Sequence, residues 1–390
     1  MTLEAVSRVS LGSVEWDSVV CGSSDGWVFS LFGWQDLILV VQQWGLEEFS
    51  FGLRENGKLV AAVPLQFNPH NGSMSSSGWG GSGPVLLGSL TGKIRQRVMQ
   101  AALDHCVDFA RERGASHFDL SLNPVTRTSI DSAWGVNPFS FYGFDDRSGL
   151  SQVIDLDPSV DELKAGLTAD ARRQIRIAQE HGYTVERADW GSQLDRYYAL
   201  HRDTYQRTGV QPHPKEYFAG LATYMAPSNH SVLWLARSRE GEPVAYHNAA
   251  WFGEGGYYHT GCSAKTANDL GVSYILFWEA LLGAKAAGLR WYDCGAIFPN
   301  ATESKQRGLT TFKTKFGGEA HRLFKAEVKL PVTSDLVSST EDSVAGLSKD
   351  VASVPKRLLN RVRGLRVGSG LIKEVKRFIS LFVSKGNTQP

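Results

Sequence analysis

GLTTFKTKFGGEAHRL, residues 308–323, follows the shorter motif WYDCG, residues 291–295, and these two motifs carry most of the information on architecture. The apolar character of WYDCG predicts a short buried strand that ends in a glycine. The segment 308–316 predicts a helix that stops at the two glycines after it. Lys313 of this helix would then lie close to a strand end. A cation in an apolar wall costs free energy unless it meets an anion or a developing negative charge.

The composition indicates a soluble, globular chain with two domains. It has 390 residues, of which 42% are hydrophobic and 21% are charged. Its four cysteines form no CxxC pair, which is typical of free thiols in a reducing cytoplasm. No window approaches ~18 uninterrupted apolar residues, so no membrane span is expected. The ten histidines show no metal-ligand spacing, and no metal site is expected.

The net charge is unevenly distributed. Residues 350–390 hold nine lysines and arginines against two acids, a net charge of +7, whereas the rest of the chain has 32 basic and 38 acidic residues, a net charge of −6. A slightly acidic body argues against broad nucleic-acid binding and leaves room for a local basic groove. The basic tail has apolar residues at helical spacing. It predicts either an amphipathic helix on an anionic membrane surface or a helix that packs on the body or on a partner.

The chain contains one internal repeat. FARERGASHFDLSLNP (109–124) and AKAAGLRWYDCGAIFP (284–299) each give a helix end, a glycine and a short strand with a central acid. Each follows a hydrophobic helix and, further upstream, antiparallel hairpin strands, the first of which turns at Asn56-Gly57. The Gly/Ser-rich segment 68–84 predicts a loop, either a ligand loop or a plain surface loop.

The fold class is therefore α+β, with duplicated domains. We predict a first domain at residues 1–155, a second domain at residues 156–330, and a linker with a basic, partly helical tail at residues 331–390.

The order of motifs resembles the FemAB family and, more widely, the FemAB/BioF-like branch of the GNAT acyltransferases, with a FemX-like layout that lacks a long helical arm. The resemblance covers roughly residues 25–330. In the second half it rests on RRQIRIAQEHGY (172–183), LHRDTYQRTGVQPHPKEYFAGL (200–221), YYHTGCSAKTANDLGVSYILFWEAL (257–281), WYDCGAIFP (291–299) and GLTTFKTKFGGEAHRL (308–323). In the first half it rests on FGWQDLI (32–38), ENGKLVAAVPLQF (55–67) and GWGGSGPVL (78–86).

The resemblance implies two tandem GNAT-like domains, each a mixed sheet flanked by helices, with a cleft between them. It also implies transfer of an acyl group to an amine. Members of the Fem type use aminoacyl-tRNA and build peptidoglycan cross-bridges, and others are thought to use acyl-CoA. The stretch AKTANDLGVS (264–273) departs from the glycine-rich pyrophosphate loop of acetyl-CoA enzymes, since it has a single glycine. This departure weakens the acyl-CoA hypothesis, while the acidic body does not favour a tRNA donor.

The resemblance also supplies candidate site residues. Lys313 matches the lysine of the family's Phe-Lys pair and is assigned to stabilise the oxyanion or the donor phosphate, with Phe312 beside it contacting substrate. The alternative is a surface lysine like Lys305. Asp293 would orient Lys313 or accept the amine proton, or it has a structural role.

Two further residues are expected to bind substrate. Arg207 matches the Thr-x-x-Arg-x-Gly stretch and would hold a phosphate or carboxylate, unless it forms a salt bridge at a helix end. Tyr258 would line the cleft, unless the alternate residues Tyr257 and His259 do so instead.

The first hypothesis is a cytoplasmic N-acyltransferase that moves an aminoacyl group from aminoacyl-tRNA to an amine of a peptidoglycan or other cell-envelope precursor. It needs no cofactor, and its basic tail would give peripheral contact at the inner membrane face. The second is an acyl-CoA-dependent enzyme that acts on an envelope polysaccharide or lipid precursor. The third is a scaffold without catalysis.

Overall fold

Strands and helices alternate through the part of the chain that the computed structural model describes, residues 3–76, 82–132 and 135–331. A mixed sheet with helices packed on it confirms the predicted α+β class. Within these residues, no helix has both the length and the apolar composition needed to cross a bilayer. The predicted basic tail lies outside the described residues, apart from Pro331.

The elements have the following bounds. The first ten strands are β1 (Leu3–Ser7), β2 (Glu47–Glu48), β3 (Phe51–Glu55), β4 (Lys58–Val63), β5 (Gln66–Asn68), β6 (Ser73–Ser75), β7 (Val85–Leu86), β8 (His117–Leu122), β9 (Asp145–Asp146) and β10 (Gly149–Asp155). The later strands are β11 (Thr184–Ala188), β12 (Ser231–Arg237), β13 (Pro243–Phe252), β14 (Gly255–Ser263), β15 (Trp291–Ile297) and β16 (Glu319–Lys329). The helices are α1 (Arg8–Cys21), α2 (Phe32–Leu39), α3 (Gly92–Arg113), α4 (Arg127–Asp131), α5 (Val160–Gly166), α6 (Ala169–Glu180), α7 (Trp190–Arg207), α8 (Lys215–Gly220), α9 (Val272–Ala286) and α10 (Ser304–Thr314).

The larger sheet has the strand order β11-β12-β13-β14-β15-β10-β16-β8-β6-β5-β2, with β9 beside β16. A smaller sheet has the order β1-β3-β4-β7 and is antiparallel. The pairs β6–β8 and β14–β15 of the larger sheet are parallel. Parallel neighbours need a crossover connection, and helices α3 and α9 supply it.

These two crossovers confirm the repeat that the sequence predicts. In each half, antiparallel strands precede a long helix, and the helix returns the chain to a strand with a central acid, Asp119 on β8 and Asp293 on β15. The predicted turn Asn56-Gly57 joins β3 to β4. The predicted helix after β15 also forms, but α10 begins earlier and ends earlier than 308–316.

The two halves exchange a strand at the centre of the sheet. β10, which follows the first repeat, lies between β15 and β16, and β16, which follows the second repeat, lies between β10 and β8. Residue 155, the predicted end of the first domain, is the last residue of a strand that pairs with the second half. The domain limits themselves stay a prediction.

Part of the Gly/Ser-rich segment 68–84 differs from the predicted loop. Ser73–Ser75 form β6, which pairs with β5 on one side and with β8 on the other. Backbone hydrogen bonds to two neighbours give this short segment a structure that its composition does not indicate. Residues 77–81 lie outside the described part of the chain.

Candidate functional site

A gap opens between the parallel strands β14 and β15. The two strands pair through three residues at their N-terminal ends, and the last pair is Tyr257 with Asp293. Both strands continue beyond this pair, β14 to Ser263 and β15 to Ile297. Backbone groups beyond the last pair therefore need other partners.

Lys313 of α10 reaches into this gap. Its Nζ donates a hydrogen bond of 2.8 Å to the carbonyl oxygen of Ala296. Gly295 makes room for the ammonium, because a Cβ built on it would lie 2.9 Å from Nζ and 3.7 Å from the ring of Tyr257. The φ of +88° at Gly295 also favours glycine.

Aromatic packing holds α10 in place. The ring of Phe316, just after the helix, stacks on that of Phe277 with centroids 4.3 Å apart. Phe312 meets the same ring at 5.7 Å in an edge-on contact. Because Phe277 belongs to α9, the crossover helix fixes the position of α10 and of its lysine.

Asp293 is 2% exposed and is held by donors from both halves of the chain. Its Oδ1 accepts hydrogen bonds from Ser151 Oγ at 2.5 Å and from the backbone N–H of Gly295 at 2.7 Å. The side chain of Asn123 is a further donor to Asp293. Ser151 lies on β10 and Asn123 follows β8, so the strand exchange brings first-half residues to a second-half carboxylate.

Burial favours the neutral forms of both Asp293 and Lys313 and shifts their pKa values in opposite directions. It raises the pKa of Asp293 to about 6, against the opposing effect of Ser151, Gly295 and Lys313. It lowers the pKa of Lys313 from its usual value, against the attraction of Asp293. Near neutral pH, Asp293 is therefore a carboxylate that can accept a proton, and its negative charge opposes the loss of charge that burial favours at Lys313.

A groove of about 650 Å³ lies on the Asp293 side of the sheet and crosses strands of both halves. Polar side chains dominate its lining. They are Asn68, Asn71, Ser73, Ser75, Ser76, Asp119, Ser121, Asn123, Arg147, Ser151, Tyr257, Asp293, Lys325 and Glu327.

A second cavity of about 340 Å³ is lined by α9, by α10 and by the other face of β14. Its side chains include Thr204, Tyr246, His247, Tyr258, Cys262, Ser263, Tyr274, Phe277 and Phe312. Tyr257 lines the groove and Tyr258 lines the cavity, since successive strand residues point to opposite faces. Lys313 follows Phe312, which lines the cavity, and contacts Gly295 and Ala296, which line the groove.

The five predicted site residues are therefore divided between three places. Asp293 and Lys313 lie together in the gap. Tyr258 and Phe312 line the second cavity. Arg207 is exposed at the end of α7, where its Nη2 donates a hydrogen bond of 3.2 Å to the carbonyl oxygen of Ser263, next to that cavity.

The site residues that the sequence did not reveal are Ser151 and Asn123. Asn-Pro after a strand is a turn signal, and this signal hides the polar role of Asn123. Nothing local marks Ser151, because its partner is 142 positions away in the chain. Tyr257 was one of the open alternatives to Tyr258, whereas its companion His259 is buried and shares a hydrogen bond of 2.7 Å with the hydroxyl of Tyr217.

Residues 167–313 match the family profile of the acetyltransferase (GNAT) domain. This stretch is a GNAT domain. It holds the β14–β15 gap, α9, Asp293 and Lys313. The predicted resemblance to the GNAT acyltransferases is thereby confirmed, and the chain is an acyltransferase. No curated protein matches the sequence.

Solved structures share the fold well beyond the GNAT domain. FemX has a TM-score of 0.65 at 16% identity, over 87% of this chain and 99% of that chain. A tandem GNAT protein from the clavulanic acid biosynthesis pathway has a TM-score of 0.53 at 12% identity, over 84% and 98%. The C-terminal domain of a proposed lysylphosphatidylglycerol synthetase from Agrobacterium fabrum has a TM-score of 0.51 at 15% identity, over 88% and 98%. These likenesses confirm the tandem GNAT architecture and the FemX-like layout.

Proposed function

We propose that this chain transfers an aminoacyl group from aminoacyl-tRNA to an amine of a cell-envelope precursor. One observation carries the proposal: Lys313, at the gap between β14 and β15, interacts electrostatically with the Asp293 carboxylate, and its neighbours line a groove and a second cavity. A two-substrate reaction needs such an arrangement, because donor and acceptor must approach one reacting point from different directions.

In the proposed reaction the acceptor amine lies in the groove and the donor carbonyl enters from the second cavity. The amine nitrogen attacks the carbonyl carbon and loses a proton to Asp293. Lys313 stabilises the oxyanion that forms. The bond to the donor's ester oxygen then breaks, and that oxygen leaves with the proton that Asp293 accepted. Tyr258 and Phe312 would contact the donor, and Arg207 would bind its phosphate near the cavity.

Two features support a tRNA donor over acyl-CoA. The stretch 264–273 lacks a glycine-rich phosphate loop, and its single glycine has a packing role. A Cβ on Gly271 would lie 2.1 Å from the carbonyl oxygen of Gln174 on α6, so this glycine allows α6 and α9 to approach each other. Backbone N–H groups in a glycine loop are the usual pyrophosphate ligand at a helix start.

Acyl-CoA remains the second candidate donor. It is favoured by the family match, whose description is an acetyltransferase. It would use the same gap and the same two charged residues on a thioester, and the acceptor would be an envelope polysaccharide or lipid precursor.

The proposal of a cell-envelope acceptor is based on proteins that share this fold. FemX, and a proposed synthetase whose name gives lysylphosphatidylglycerol as its product, share this architecture. The proposal therefore places the enzyme in the cytoplasm near the inner membrane face, with residues 331–390 as the peripheral contact.

The test is Lys313→Ala in a transfer assay with labelled aminoacyl-tRNA and, separately, labelled acyl-CoA. We expect turnover with the true donor to fall about 10²–10³-fold, since a lost oxyanion donor costs about 3–4 kcal/mol. Lys305→Ala is the matched control, because Lys305 lies on the same helix and is exposed. Equal turnover by Lys313→Ala and wild type would refute the assigned role.

A further inference from the structure

The groove extends well beyond Asp293 onto the first half of the chain. Its floor there is one face of β8 and β16, with Ser121 directly opposite Lys325 and Asp119 directly opposite Glu327. Asn123, which donates to Asp293, lies four residues beyond Asp119, and four residues of a strand span about 13 Å. A ligand whose amine reaches Asp293 can therefore touch Asp119 only if it is longer than one sugar ring.

Several polar groups of this floor make no hydrogen bond or direct ion pair within the described residues. The hydroxyls of Ser75 and Ser121 make no hydrogen bond within the described residues, although Ser121 is only 6% exposed. The Lys325 ammonium lines the groove, makes no direct ion pair within the same residues, and acts electrostatically on Asp119. Donors and acceptors thus stand next to each other in a partly buried place, where a ligand's polar groups gain more than in open water.

The two carboxylates of the floor each have a nitrogen partner within the protein. His117 Nε2 lies 3.2 Å from Asp119 Oδ2, and Arg147 Nη2 lies 3.1 Å from Glu327 Oε1. Each carboxylate keeps acceptor capacity, because a carboxylate has two oxygens with about four acceptor sites. The floor therefore offers hydroxyls, carboxylates and an ammonium within a few ångströms of one another.

A peptide fits this floor poorly. Extended peptides commonly bind by adding a strand to a free sheet edge, whereas β6, β8 and β16, which form this floor, each have a paired strand on both sides. Recognition must therefore come from side chains. Those residues are mostly short and polar, and Leu46, Leu120 and Leu323 are the larger apolar ones. Ring hydroxyls, which both donate and accept, match such a lining.

We infer that the Asp119 end of the groove binds sugar hydroxyls, and that the acceptor is an oligosaccharide carrying the reactive amine at its Asp293 end. This inference rests on the proposed function, since it takes the groove to be the acceptor site. Asp119 and Ser121 are the specificity-determining residues, and they act on the sugar ring farthest from the reacting nitrogen.

The experiment is calorimetric titration of the full chain with the fully deacetylated glucosamine trimer, with trilysine as a peptide of equal charge. We expect the trimer to bind and trilysine to bind at least tenfold more weakly. Asp119→Asn and Ser121→Ala should each weaken trimer binding about five- to tenfold. Asp108→Asn, an exposed acid on α3, is the control and should bind like wild type.

A transfer assay separates this inference from the proposed function. If the wild type transfers an acyl group to the trimer, and Lys313→Ala binds the trimer normally but transfers nothing, both hold. If Asp119→Asn weakens trimer binding while no donor gives transfer, the inference stands and the proposed function falls. If trilysine is bound and acylated as well as the trimer, or if Asp119→Asn and Ser121→Ala bind the trimer like wild type, the inference is overturned.

Discussion

At the scale of single residues, Gly295 leaves the space that the Lys313 ammonium occupies. Its φ of +88° is a conformation that costs other residues about 1–2 kcal/mol, and the space next to it is occupied by Lys313 Nζ. We predict that Gly295→Ala loses about 1–2 kcal/mol of unfolding free energy and, in addition, most of its turnover. Urea denaturation and a transfer assay measure the two effects.

The control variant Gly241→Ala distinguishes the effect of backbone strain from the effect of displacing Lys313. It has a φ of +86° in the β12–β13 turn, and no atom lies within 4 Å of a Cβ built there. Gly241→Ala should therefore lose similar stability and keep full turnover. If both alanine variants keep wild-type turnover, the Gly295–Lys313 contact does not matter for catalysis.

At the scale of secondary-structure elements, the site depends on the packing of α10 against α9. Phe316 is 2% exposed and packs on Phe277 and on Phe312, whose neighbour is Lys313. We predict that Phe316→Ala lowers the unfolding free energy by about 3–5 kcal/mol, the usual cost of removing a buried ring. Phe141→Ala, at a side chain that is 78% exposed, should change it little.

Phe316→Leu covers the case in which the alanine variant does not fold. It keeps an apolar side chain but loses the ring stacking, so we expect a smaller loss of stability together with reduced turnover, because Lys313 is less well placed. Wild-type turnover by a Phe316→Leu variant with a clearly lowered denaturation midpoint would show that α10 packing and catalysis are independent.

Most elements of this chain could be predicted because their signals are local. A short stretch of sequence is enough to predict each of three elements: the apolar run of α9, the turn at Asn56-Gly57 and the strand in WYDCG. β6 could not be predicted, since Ser73–Ser75 have weak strand propensity and are held by pairing with distant β8. The same reason explains the site: Lys313 and Asp293 lie in short motifs, whereas the donors to Asp293 come from far along the chain.

The whole molecule is built so that neither half completes the site. The exchange of β10 and β16 puts a first-half strand against β15, and it is this strand that supplies Ser151 to Asp293. A repeat in sequence predicts two similar units, but it does not predict which strand of one unit pairs with the other. Strand exchange depends on long-range pairing energies, which no local pattern reports.

The pH dependence of transfer tests whether Ser151 of the first half affects Asp293 of the second half. Asp293 must be a carboxylate to accept the amine proton, so turnover should fall as pH drops through about 6, the pKa to which burial raises this group. Ser151→Ala removes a donor that stabilises the charged form, so the pKa of Asp293 should rise and the acid limb should move to higher pH. Ser231→Ala is the control, since Ser231 is a buried, hydrogen-bonded serine on β12 of the same sheet. If the acid limb of the turnover profile lies at the same pH in Ser151→Ala and in wild type, the first half does not affect the pKa of Asp293.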